Sequence, residues 1–449
     1  MKLGIDKEHA RSILHIAGPA IAGLSSQVIV SLVNTAMVGR LEHTQVQLAA
    51  MGLGLLGTWA ITSLFSSLST GTHVMVARRH GEGNSIGVGE VLNNSLLVCA
   101  VLGTIFGVIG YYYSFDIIDF FSKDDQVILA GGAYMKYQFI GLPFFLLIVS
   151  YRGFFFGIGH TKIFMISAIL INIFNIIFNY LFIFGIFGFP KMQLAGAGIG
   201  YSISMVLGWL FFVFVTFMRH YRKQYKYYSH FKISKETISQ IVKISVPVSL
   251  QNILILLGFL VFVAITGIIG TVAQAASNVV INALFISLMP CFGFGIAAQT
   301  LIGQSLGKRD DKLAHAYGYA TAKLGTIFTL IVGIFFVSIP EWIIIAITSE
   351  QEVINAAKPI LQIAGVAQIF YGAGIIFANA LQAGGATVYV MFVEVLTHWI
   401  VFLPLTYLFG VVFGWGLSGA WLALPVYVLA YTGMNLNKFR TTSWIKNQW

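Results

Sequence analysis

Residues 242–269 read VKISVPVSLQNILILLGFLVFVAITGII, with one charge, Lys243, at the leading edge. About 20 predominantly apolar residues suffice for a helix to cross a bilayer, and this stretch exceeds that. A transmembrane β-strand is shorter and alternates apolar with polar side chains. Neither this run nor LGTIFTLIVGIFFVSI at 324–339 does so. Lipid cannot satisfy main-chain polar groups, so a helix bundle and a closed barrel are the two spanning solutions. The pattern selects the bundle.

The whole chain agrees with that reading. Of 449 residues, 57% are apolar or aromatic and 9% are charged, against roughly 25% charged in soluble proteins. A water-soluble fold could not cover its surface with so few charges. Soluble enzymes, secreted disulfide scaffolds, disordered chains and ordinary nucleic-acid binders are thereby excluded. The expected fold is all-α, a polytopic membrane protein with twelve transmembrane helices. The spans are placed at 13–38, 49–76, 91–113, 134–151, 164–187, 195–217, 242–269, 277–302, 316–339, 360–380, 388–409 and 418–436. Lys2, Lys7 and Arg11 precede the first of these, as in a signal peptide. The stretch that follows is about twice as long as a cleavable apolar region of 7–15 residues and contains Ser25, Ser26, Gln27, Ser31 and Asn34. It is read as a permanent span.

Charge placement gives the orientation. With twelve spans, the termini and the even-numbered loops share one side. That side carries 20 of the 26 Lys and Arg residues; the other carries Arg40, Lys123, Lys191 and Lys358, while Lys136 and Lys323 fall within spans. The positive-inside rule puts both termini in the cytoplasm, in a plasma (bacterial inner) membrane. Cys99 and Cys291 lie within spans of different halves, so no disulfide is expected and both read as packing residues. The most basic stretch, 218–241, holds Arg219, Arg222, Lys223, Lys226, Lys232 and Lys235 with Tyr221, Tyr225, Tyr227 and Tyr228. Basic residues among aromatics can mark RNA contact. Beside a span, attraction to anionic lipid is the better account, and no nucleic-acid partner is expected.

That stretch lies near mid-chain and separates two copies of one pattern. At an offset of 226, Ala50 matches Ala276, Gly81 matches Gly307, Gly107 matches Gly333, Gly159 matches Gly385 and Thr161 matches Thr387. Pro19/Pro247 and Gly39/Gly267 match at 228, and Gly196/Gly419 at 223. Six spans per half is an even number, so both halves point the same way, the parallel-repeat plan of many secondary transporters. The expected organisation is an N-terminal six-helix lobe at 1–217, a basic cytoplasmic linker at 218–241 and a C-terminal six-helix lobe at 242–449. A solute cavity between the lobes would open alternately to either side.

Candidate chemistry is sparse. Of 16 acids, only Glu394 lies well inside a span, in VMFVEVLTHWIVF. An intramembrane acid costs about 2.5–3.5 kcal/mol on insertion scales and is a functional hypothesis by default. His398 follows four residues later, on the same face of a regular helix. The pair is expected either to couple an ion or to lock the helix through a Glu–His hydrogen bond. Asn172, Asn175 and Asn179 share a face of the fifth span, and Asn34, Gln251 and Asn252 are further amides within spans. Such side chains can bind neighbouring helices or line a solute or Na⁺ cavity. His73 is near the basic end of the second span and is expected to be partly wet. Lys323 can extend to the interface. Pro290 and Pro404 sit deep in spans eight and eleven as candidate hinges, since proline removes a main-chain bond. A membrane enzyme is set aside: the ten histidines are scattered, and neither HExxH nor GxxxxGK[ST] occurs. No metal and no cofactor beyond a coupling ion is expected.

Several motifs together resemble the multidrug and toxic compound extrusion (MATE) family over nearly the whole chain. They are GPAIAGLSSQVIVSLVNTAMVGRL in the first span, VARRHGEGN after the second, RGFFFGIGHTK and INIFNIIFNYLFIFG around the fifth, and GIAAQTLIGQSLGKRD and ALQAGGAT in the second half. The resemblance implies a V-shaped pair of lobes and antiport, inward H⁺ or Na⁺ driving export of amphipathic or cationic compounds; a monomer is expected. It also exposes departures. Many members have an Asp in the first span where this chain has Asn34, and some have an acid where it has Asn179; Asn175 matches a family Asn. The Glu of span seven and the Asp of span ten used by other members fall near Ile255 and at Tyr371–Gly372. All four positions are neutral here, which leaves Glu394 with His398 as the coupling candidate. The competing reading is a flippase of a lipid-linked saccharide or another polyprenyl lipid, which would need several mid-membrane cations for the pyrophosphate.

Overall fold

The computed structural model describes residues 6–445, apart from the side chain of Ile286. Among the described residues, twelve helices are long and apolar enough to cross a membrane. In order they are Lys7–Val38, Thr44–Gly81, Ser85–Phe121, Asp125–Gly157, Thr161–Phe184, Gln193–Phe217, Lys235–Ile269, Thr271–Gly307, Asp311–Ser338, Gln351–Ala383, Thr387–Val412 and Gly416–Arg440, called spans 1 to 12 below. Most extend beyond the apolar stretches that mark them. Hydropathy reports the part in hydrocarbon, whereas a helix continues into the interface until a cap ends it.

The repeat is visible in those caps. Asn84 accepts from the Gly87 N–H at 2.8 Å to start span 3, and Asp310 accepts from the Leu313 N–H at 2.9 Å to start span 9. The two capping residues are 226 apart. Spans 4 and 10 are both 33 residues long. Left-handed turn residues recur at the same offset: Gly83 and Arg309 (φ 73° and 59°), Gly159 and Gly385 (φ 79° and 85°). Glycine takes such angles without a Cβ clash.

Packing repeats as well. Gly107 of span 3 lies so close to span 4 that a Cβ would meet the Phe139 carbonyl at 3.0 Å. Its counterpart Gly333 meets the Gly365 carbonyl at 2.6 Å, and Phe139 and Gly365 are themselves 226 apart. Small residues let helix backbones approach, which is how helices associate in lipid. Val101, Ile105, Val108 and Tyr112, on another face of span 3, are exposed and available to lipid. Cys99 and Cys291 are buried free thiols.

The chain divides into two compact units, Ala22–Ser249 and the combination of the residues up to Ile21 with Leu250 onward. Both divisions fall inside a span, two residues after the repeat-related Pro19 and Pro247. This differs from boundaries at 217/218 and 241/242. Segment 218–241 is not a free tether: it contains a short helix, Arg219–Tyr225, and packs within the first unit. Asn93 and Asn94 of span 3 hold its main chain, through Tyr227 O at 2.8 Å and Lys232 O at 2.9 Å.

Candidate functional site

Span 11 is irregular around the intramembrane acid. It runs as α-helix over Thr387–Val395, widens to π-helix over Leu396–Phe402, and resumes as α-helix over Leu403–Tyr407. Pro404 has no N–H, and in a regular helix its ring would strike the carbonyl four residues back. A wider turn absorbs that conflict, and such turns cluster at functional positions. Pro290, by contrast, lies within an uninterrupted α-helix.

Glu394 sits just before the wide turn and is 3% exposed. Tyr427 of span 12 donates to its Oε1 at 2.7 Å. Tyr431, one turn further, and Gln251 of span 7 approach the same carboxylate. Tyr371 of span 10 completes the surround, its ring centroid 6.1 Å from those of both Tyr427 and Tyr431. Gly374 makes room for Tyr431, whose Cδ1 would lie 2.8 Å from a Cβ there. The described ion pairs are Arg78–Glu82, Arg79–Glu90, Lys123–Asp119, Lys191–Glu42 and Lys358–Glu341. Among the described residues, the Glu394 carboxyl therefore has hydroxyl and amide neighbours but no ion-pair partner. A cavity of about 40 Å³, lined by Leu284, Gln368, Tyr371 and Leu424 among others, reaches this cluster.

His398 does not join Glu394. The i,i+4 expectation assumes an unbroken α-helix, and the wide turn begins between the two residues. The imidazole instead packs against Phe402 and Tyr427 (centroids 5.3 and 5.6 Å away) and over Gly258 of span 7. Neither ring nitrogen makes a hydrogen bond of ordinary geometry. Asn252, beside Gln251, is half-buried.

The other unit gathers amides. Asn34 Nδ2 donates to Asn175 Oδ1 at 2.9 Å, and Asn179 Nδ2 lies 2.9 Å from Asn34 Oδ1 and 3.1 Å from Asn175 Oδ1. With its amide turned over, Asn179 would instead donate to the Ala197 and Asn175 main-chain carbonyls, both at 3.2 Å. Asn172 is held separately, donating to Ser26 Oγ at 2.7 Å. All four thus mark one seam between spans 1 and 5. His73 is not half wet: it is 2% exposed, edge-on to Phe156 at 5.7 Å, because Gly153 lets span 4 close onto its main chain.

Sequence reasoning missed Arg152. It belongs to span 4 rather than to the following turn, and its guanidinium donates to Ser69 Oγ at 3.3 Å. It also missed the tyrosines around Glu394. The available signal was Tyr427 and Tyr431 at i,i+4 in mid-span, since buried tyrosine hydroxyls require partners. Two Gly-x-Ser-x-Gly pentapeptides, at 83–87 and 303–307, are not nucleophile elbows, which need a strand–turn–helix. Ser85 opens span 3, and Ser305 lies within span 8 with its hydroxyl donating to Leu301 O at 2.7 Å.

The MatE family model matches residues 19–181 and again residues 247–408. The chain belongs to the MatE family. The two MatE matches fall one on each half of the repeat, consistent with twelve helices arranged as two six-helix lobes. A relative named "Probable multidrug resistance protein NorM", from Thermotoga maritima, is 26% identical over 441 residues, covering 98% of this MatE chain and 94% of the relative. The solved structure of an outward-facing multidrug resistance MATE family transporter of the MOP superfamily aligns with a TM-score of 0.90 at 19% identity, over 98% of this chain and 97% of that one. A MOP superfamily transporter from Pyrococcus furiosus aligns with a TM-score of 0.88 at 19% identity, over 96% and 95%. These two show a shared MatE fold. The protein is an integral membrane protein of a transporter family.

Proposed function

We propose that this chain is a secondary active exporter. Inward flow of H⁺ or Na⁺ drives outward movement of amphipathic or cationic small molecules by alternating access, with Glu394 as the coupling group. The observation that carries the reading is a carboxyl buried in span 11 with hydroxyl and amide neighbours and, among the described residues, no ion-pair partner. Placing an acid there costs several kcal/mol, and a structural role would favour a fixed counter-charge. Without one, the carboxyl can take up and release a small cation. Tyr427 donates to the ionised form and can accept from the protonated one. Each elementary charge crossing 100 mV supplies about 2.3 kcal/mol, roughly fiftyfold accumulation. The concentration of Lys and Arg on the side of the termini and even-numbered loops supports cytoplasmic termini in the plasma membrane. The protein is taken to act as a monomer in the bilayer, with small molecules rather than nucleic acid as partners.

The test is uptake of a fluorescent cationic dye into inside-out vesicles, with interior-acidic and interior-high-Na⁺ gradients imposed separately. One gradient is expected to drive uptake that stops when it is collapsed. Uptake indifferent to both gradients would refute ion coupling.

A further inference from the structure

The segment between spans 6 and 7 forms a built, basic platform rather than a loose connector. Tyr225 and Tyr227 are almost wholly buried in the unit. The Tyr227 hydroxyl donates to the Thr216 carbonyl. Asn94 holds the segment from both sides, donating to Lys232 O at 2.9 Å and accepting from the Ser234 N–H at 2.9 Å. Gly89 of span 3 lies directly against the Tyr225 carbonyl, with no room for a side chain.

On the outer surface of this platform is a basin of about 520 Å³ lined by Arg222, Lys223, Lys226, Tyr228, Ser229 and His230. The three cations are exposed. None of them enters a described ion pair. The Tyr228 ring is fixed by stacking on Phe217 at 4.6 Å. The Ser229 hydroxyl donates to Lys226 O at 3.1 Å and the Tyr228 hydroxyl pairs with Thr216 Oγ1 at 3.1 Å, so the donors around the hollow are the cations, and these suit a phosphate group, which accepts charge-assisted hydrogen bonds from several directions. The neighbouring surface is apolar. Phe217 and Met218 at the end of span 6, and Phe231 and Ile233 beyond the spans, are 52%, 44%, 63% and 56% exposed. Large apolar side chains beside cations at a span end belong at the headgroup boundary, so the phosphate is one carried by lipid.

We propose that this basin binds the phosphate of an anionic phospholipid headgroup. The proposal is independent of the coupling reading. It is tested on the purified full-length protein in detergent, titrated with spin-labelled phosphatidylglycerol and, separately, spin-labelled phosphatidylcholine. Juxtamembrane cations contribute about fivefold each to anionic-lipid binding. The R222Q/K223Q/K226Q variant should therefore lose on the order of a hundredfold in phosphatidylglycerol affinity, with phosphatidylcholine unchanged. The single variant Lys223→Gln, an exposed change, should lose about fivefold and serves if the triple variant does not fold. K308Q/R309Q/K312Q, the same charge change at another turn, should leave the affinity unaltered. Inorganic phosphate at millimolar concentration should not displace the lipid. Equal losses in the two triple variants would reduce the effect to overall charge and overturn the site. Displacement by free phosphate as effective as by unlabelled lipid would overturn the assignment to lipid.

Discussion

The imidazole of His398 occupies the space that a side chain on Gly258 would need. A Cβ there would fall 2.5 Å from both Cδ2 and Nε2 of the ring. Span 7 therefore sets where the wide turn of span 11 can place its histidine. Gly258→Ala should overpack this contact and cost about 1–3 kcal/mol, read as a lower unfolding temperature in detergent. In a His398→Ala background the same change should cost much less, because the atoms it strikes are gone and contacting residues are not additive. Equal cost in both backgrounds would contradict the contact.

Glu394→Gln keeps the size of the side chain and an oxygen for Tyr427, but removes the exchangeable charge. Ion-driven export should be lost in proteoliposomes while membrane insertion and thermal stability stay near wild type. Wild-type transport by this variant would remove Glu394 from the coupling role.

Tyr427→Phe keeps the ring packed on Phe402 and deletes the 2.7 Å hydrogen bond. A hydrogen bond to a carboxylate contributes about 1.5–3 kcal/mol, so transport should fall by roughly tenfold or more and its pH profile should move. A stability loss with an unmoved profile would make the tyrosine structural.

Asn34→Ala leaves Asn175 and Asn179 without their shared partner. Interhelical amide bonds in membranes contribute about 0.6–2 kcal/mol, and a loss in that range is expected in thermal unfolding. Asn172→Ala should act additively with it, since Asn172 bonds Ser26 and not the cluster.

Gly89→Ala would press a methyl group into the Tyr225 main chain, which cannot rotate away. The basic segment should lift from span 3, and trypsin should cut at Arg222 or Lys223 much faster than in wild type. Unchanged cleavage would mean the platform is not held at Gly89.

The number of spans and the internal repeat were legible in the sequence. These depend on the chain's local composition against a bilayer, and on an offset counted along one dimension. The caps at Asn84 and Asp310 fall at the same offset, because a cap is decided by a few neighbouring residues. The isolation of Glu394 within span 11 was equally plain. Its partners were not. Tyr427 is 33 residues away from Glu394, and Gln251 and Tyr371 come from other helices; only packing brings them together. His398 looked like the partner because spacing implies a regular helix, and only the conformation around Pro404 decides how far each residue is turned. The burial of His73, the separate bonding of Asn172 and the docking of 218–241 were likewise decided by how closely neighbouring helices approach. That closeness is set by glycines such as Gly153 and Gly89, whose missing side chains carry no hydropathy signal.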